Sequence, residues 1–136
     1  MKASHAAVFY AIFFAVVLVV TGGFVFKRTT QDVSPLWLTP QQAKNLIDKT
    51  SDVVVIDLSR HFYNDGHLPG ALNYPRCALP YVLSNLNKNR TYIVYCHWTG
   101  DPLASAYHLK EAGFNNVYAL EGNYGAWADA GYPVVN

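Results

Sequence analysis

"TYIVYCHWTGDPLASAYHLKEAGF", residues 91–114, is the stretch whose reading decides the fold. Thr91 to Tyr95 form an unbroken apolar and β-favouring run, the pattern of a strand buried on both faces. Cys96 ends that run. Pro102 then stands at a first helical position and Gly113 just past a last one, which bounds a helix between them. The order is therefore strand, cysteine, short loop, helix. "VVVID", 53–57, is a second strand of the buried type, closed by Asp57. "LTPQQAKNLIDK" starts a helix with Thr39 as N-cap and Pro40 following, and Ala43, Leu46 and Ile47 recur at helical spacing. "GALNYP", 70–75, and "VYAL", 117–120, hold short strands, "LPYVLSNLNK" a helix, and "NYGAWADAGY" a final helical turn or two. Strands alternating with helices predict an α/β domain with a mostly parallel central sheet flanked by helices. Sites in such sheets form beyond the carboxyl ends of the strands, here the loops after Asp57 and after Cys96.

The loop after Cys96 is the stronger candidate. A loop that curls back into a helix start turns its N–H groups and the positive helix end toward one small bowl, which favours an anion. A cysteine there has its thiolate, the reactive form, stabilised. His97 and Thr99 offer a donor or cation and a hydroxyl, while Trp98 reads equally as an apolar wall packed on the loop or as an exposed recognition residue. The competing reading is a small buried thiol at a strand end, which is how free cysteines commonly sit. Asp101 reads as the N-cap of the following helix.

The 136 residues suffice for one domain and an appendage. The chain is 51% hydrophobic and only 14% charged, and the apolar excess is localised. Ala6 to Phe26 carry no charge and would span about 31 Å as a helix, enough for a bilayer core. The expectation is a single transmembrane anchor or signal segment over 1–26, a polar linker over 27–35 and a domain over 36–136. A cleaved signal peptide is the alternative, opposed by the apolar run continuing to Lys27-Arg28. Positive residues flank both ends, so orientation is nearly balanced. The sequence tips toward a single-pass membrane protein with an extracytoplasmic, periplasmic domain, the cytoplasmic side being the alternative. Beyond Lys2, Lys27 and Arg28, seven Lys and Arg face nine Asp and Glu, a net −2 that excludes a basic nucleic-acid footprint. Two cysteines, Cys77 and Cys96, are too few for a disulfide framework or a zinc cluster. No metal-ligand spacing and no cofactor motif is read.

The chain resembles the rhodanese-like domain family over Leu38 to Val135. The matching pieces are "VVVIDLS", "GHLPGALNYP" from Gly66 to Pro75, "TYIVYC" before a six-residue loop, and "LKEAGFNNVYALEGNYGAW". The resemblance implies a rhodanese-like fold and a sulfurtransferase. In that family the loop cysteine takes sulfane sulfur from a donor such as thiosulfate, holds it as a persulfide and passes it to a thiol or cyanide. Cys96 falls at the nucleophile position, and the amides of residues 97–101 would cradle the persulfide. The partners implied are a sulfane-sulfur donor and a thiol acceptor, small molecule or protein.

Many members read Cys-Arg-x-Gly-x-Arg in this loop, where this chain has Cys96-His97-Trp98-Thr99-Gly100-Asp101. An anion replaces the final cation. A carboxylate about 6 Å from a thiolate opposes it by roughly 2–3 kcal/mol at an effective dielectric near 20, before screening. Arg60 stands three residues after Asp57, one later than the family's usual structural arginine, so it pairs with a buried Asp57 or lies on the surface. His67, within the turn motif, reads as structural rather than as a base. Cys77 reads as a spare buried thiol, or as a resolving partner for a Cys96 persulfide or disulfide. Two further functions compete with sulfur transfer: a catalytically silent interaction module and thiol redox chemistry through Cys77 and Cys96. Phosphatase chemistry on a related loop is improbable, since Pro102 stands where the phosphate-gripping arginine would fall.

Overall fold

The computed structural model of the chain describes residues 36–98 and 101–136. Its sheet holds five strands, β1 (Leu36–Leu38), β2 (Val53–Asp57), β3 (Leu72–Asn73), β4 (Thr91–Tyr95) and β5 (Asn116–Leu120), in the order β1-β5-β4-β2-β3. Every pairing is parallel. The two continuous apolar runs are the two inner strands that pair with each other, Val53 opposite Thr91 through Asp57 opposite Tyr95. Val54–Asp57 and Tyr92–Tyr95 are buried throughout, as strands covered on both faces must be.

Helices α1 (Pro40–Lys49), α2 (Leu79–Val82), α3 (Pro102–Glu111) and α4 (Asn123–Asp129) cover the sheet. The start of α1 is a capping box, with the Thr39 hydroxyl accepting from the Gln42 amide and the Gln42 side chain accepting from the Thr39 amide. "LPYVLSNLNK" yields a shorter helix than expected. After Val82 it tightens into a 3-10 turn over Leu83–Asn85, because Ser84, Asn85 and Asn87 favour local side-chain bonding over helix.

The pleat sorts side chains into two cores. One face packs Val54, Ile56, Leu58, Tyr92 and Val94 with Leu79 and Leu109 beneath α2 and α3. The other packs Val55, Ile93 and Tyr95 with Ala43 of α1, Leu68 and Trp127 of α4. Cys96 packs against the first cluster.

The anchor expected over residues 6–26 lies outside the described residues. The expected single-pass membrane localisation, with its periplasmic side, is corrected here: among the described residues no helix is long and apolar enough to cross a membrane.

Candidate active site

The carboxyl edge of the sheet carries both expected loops. Cys96 follows β4 directly, is half-buried, and is a free thiol. Its backbone is fixed from the far side of the sheet's end. Its amide donates to Asn123 Oδ1 at 3.0 Å, and its carbonyl accepts from the Tyr124 amide at 3.0 Å. The turn supplying both contacts runs through left-handed backbone at Gly122 (φ 69°) and Asn123 (φ 58°). A Cβ at Gly122 would lie 2.4 Å from that of Ala126, so glycine is required there on two counts.

On the downstream side, Asp101 Oδ1 accepts from the Leu103 amide at 2.9 Å, and Pro102 opens α3. The N-cap reading of Asp101 therefore matches its geometry. Helix α3, whose start carries the positive end of its dipole, opens at Pro102, six residues after Cys96. Trp98 is 67% exposed, an open aromatic surface rather than a packed wall. Thr99 and Gly100, with the amides expected to cradle sulfur, lie outside the described residues.

His97 does not line the loop. Alternation past Tyr95 sends its ring to the face opposite Cys96, where it is 4% exposed. It stacks on Tyr124 at 4.2 Å between ring centroids and on Phe62 at 5.7 Å. Its Nε2 lies 2.7 Å from the Gly66 carbonyl, which only accepts, so Nε2 carries the proton and donates. The same nitrogen is 3.8 Å from Asp57 Oδ2. The expectation that His97 greets substrate is corrected: it ties the β4 loop to the Gly66 turn. Gly66 itself leaves no room for a side chain, since a Cβ would meet the Tyr124 hydroxyl at 2.5 Å.

Asp57 is fully buried. Its Oδ1 accepts from the Ser59 amide at 2.7 Å and from the Ser59 hydroxyl, while Oδ2 has no hydrogen-bond partner. Ser59, not Arg60, thus answers the carboxylate. Arg60 is exposed and makes no ion pair among the described residues, because the extra residue before it carries it out of reach of the buried acid. The signal was present in the sequence as the Asp-x-Ser spacing, which closes a local side-chain turn.

His67 stacks on Tyr63 at 3.8 Å, its Nδ1 lies 3.0 Å from the Tyr63 carbonyl, and its backbone bridges Val135. Cys77 is exposed and free. The sequence reading missed Asn123 and Tyr124, which hold Cys96 in place. Among the described residues no group of three or more His, Cys, Asp or Glu is disposed to hold a metal.

A strand-ending thiol, held by backbone contacts and followed by a capped helix start, is an arrangement for nucleophilic sulfur chemistry. A family model for the rhodanese-like domain matches residues 39–130. The thiosulfate sulfurtransferase GlpE of Shewanella oneidensis is 29% identical over 83 residues, covering 60% of this chain and 82% of that protein. A sulfurtransferase of Allochromatium vinosum is 30% identical over 87 residues, covering 63% and 81% respectively. The solution structure of the rhodanese-like domain from the Anabaena sp. Alr3790 protein superposes with a TM-score of 0.64 at 28% identity, covering 74% of this chain and 78% of that one.

Proposed function

Because the chain belongs to the rhodanese-like domain family, matched over residues 39–130, we propose that it moves sulfane sulfur as a persulfide on Cys96. The single observation carrying this reading is the placement of a free, half-buried thiol at the end of β4, ahead of the α3 start. The Cys96 thiolate attacks the outer sulfur of a donor such as thiosulfate. The donor's S–S bond breaks, sulfite leaves with the bonding pair, and Cys96 becomes a persulfide. An acceptor thiolate then attacks the outer sulfur and releases the Cys96 thiolate, so no external oxidant or reductant is consumed.

Mass spectrometry after incubation with thiosulfate or glutathione persulfide is expected to find about 32 mass units, one added sulfur, on Cys96. Cys96→Ser protein is expected to gain none and to lose sulfur transfer to cyanide. An unmodified Cys96 with both donors would sink the proposal. A second reading, an interaction module, is favoured by one observation: Trp98 stands 67% exposed on a loop whose expected cation is Asp101. Partner binding that survives Cys96→Ser while cellular function is lost would reject that reading.

A further inference from the structure

Beside the Cys96 loop, on the same face of the sheet, lies an open cavity of about 510 Å³ lined by Leu58, Arg60, Pro75, Arg76 and Cys77. Its position follows from the strand order. The Leu58 amide donates to the Tyr95 carbonyl at 2.8 Å, and the Arg76 amide donates to the Leu58 carbonyl at 3.2 Å. Cys96, Leu58 and Arg76 therefore succeed one another across three adjacent strand ends. Leu58 forms the cavity's apolar floor and belongs to the cluster against which Cys96 packs. Arg60 and Arg76 are both exposed, neither has an ion-pair partner among the described residues, and no carboxylate lines the cavity. Two unanswered guanidiniums over an apolar floor form an anion-recognition surface, since charge-assisted bonds from arginine select carboxylates and other oxyanions.

We infer that the Arg60–Arg76–Cys77 cavity is the docking site for the body of an anionic, carboxylate-bearing low-molecular-weight thiol or persulfide, whose sulfur then reaches Cys96. The choice of ligand rests on the sulfur-transfer reading. It accounts for two features that reading leaves unused. Asp101 makes the loop a poor receiver for small dianions, and the cationic charge missing from the loop stands one strand further along the sheet edge. The volume lies within the range of small-molecule sites, and a small inorganic anion would fill only a fraction of it. With such a persulfide docked, its outer sulfur passes to the Cys96 thiolate as its S–S bond breaks, and the ligand leaves as the thiolate.

Cys77, on the rim, reports occupancy directly. On the full chain, S-methylglutathione is expected to slow iodoacetamide alkylation of Cys77 at least threefold, read by peptide mass spectrometry. S-methylcysteamine, a cation, and sulfate are expected to give no protection. In Arg60→Gln/Arg76→Gln protein the protection is expected to disappear. Absent protection in the wild-type chain, protection surviving in the double variant, or equal protection by sulfate or S-methylcysteamine would each overturn the inference. A kinetic arm gives the second readout. The double variant is expected to raise KM for glutathione persulfide roughly tenfold or more with kcat unchanged, while KM for thiosulfate moves less than twofold. Equal shifts for both donors would also overturn it. If Cys96 accepts sulfur from no donor, the sulfur-transfer proposal fails, and the alkylation arm still decides whether the cavity binds the anion.

Discussion

The Asp101 carboxylate serves the helix and opposes the chemistry. It accepts from the Leu103 amide at the start of α3, and it keeps a negative charge five residues from a thiol proposed to react with anions. Asparagine caps a helix as well as aspartate, so Asp101→Asn separates the two effects. Stability by urea unfolding is expected to change by less than about 0.5 kcal/mol. Persulfide formation from thiosulfate is expected to rise several-fold at low ionic strength, with the gain shrinking as salt screens the charge. An unchanged rate at low salt would remove Asp101 from the account of donor preference. His97 tests the opposite case. Its ring fills the space between Phe62 and Tyr124 and supplies the proton for the Gly66 carbonyl. His97→Ala is expected to cost about 2–4 kcal/mol by chemical denaturation, through the cavity and the orphaned carbonyl together. The folded fraction is still expected to take sulfur on Cys96. Lost persulfidation at unchanged stability would return His97 to the reactive loop.

Helix α4 controls Cys96 without touching its sulfur in any contact described above. The Gly122–Asn123 turn aims Asn123 Oδ1 and the Tyr124 amide at the two backbone groups of Cys96. Gly122→Ala is expected to destabilise the domain by about 1–3 kcal/mol, since it combines left-handed backbone with a Cβ contact at 2.4 Å. Asn123→Gly keeps the backbone freedom and removes the bond to the Cys96 amide. It is expected to change the alkylation rate of Cys96 while costing less stability than Gly122→Ala, measured by thiol labelling and urea unfolding side by side. None of this was visible in the sequence, because Cys96 and Asn123 stand 27 residues apart in different elements. The inner strands were legible because each is a five-residue run, too short for a helix and rich in β-branched or aromatic side chains. Strand β1, three residues long, carries too little periodicity to stand out from the linker before it. The inward direction of His97 was legible in principle. Period-2 alternation through Tyr95 and Cys96 assigns it to the core face, yet the polarity of histidine suggested solvent. For Arg60 the one-residue shift left two positions open, and the exposed one is observed, with Ser59 answering the Asp57 carboxylate.

Across the whole molecule, the central strand stakes its stability on neutral phenols. Burial pushes the Tyr95 hydroxyl far above its ordinary value of 10.0, only partly offset by the Leu68 amide that donates to it. Burial also raises Tyr92. In the unfolded chain both ionise near pH 10, whereas folding shifts both ionisations upward, that of Tyr95 furthest. Their contribution is therefore complete below about pH 10 and is lost as the pH climbs above it. Urea midpoints are expected to stay level from pH 7 to about 9.5 and to fall beyond it, with Tyr95 phenolate absorbance appearing only as the protein unfolds. A phenolate signal from Tyr95 in the still-folded protein would contradict this. The strand order has a consequence of another kind. Among the described strands, β1 pairs only with β5, which is the last of them in sequence. On a translating ribosome, Leu36–Leu38 emerges early and waits for Asn116–Leu120 before it has a neighbour, while β2, β3 and β4 are free to assemble. The nascent sheet thus holds an unpaired edge until Asn116–Leu120 arrives, and its closure comes just ahead of the Asn123–Tyr124 turn that secures Cys96.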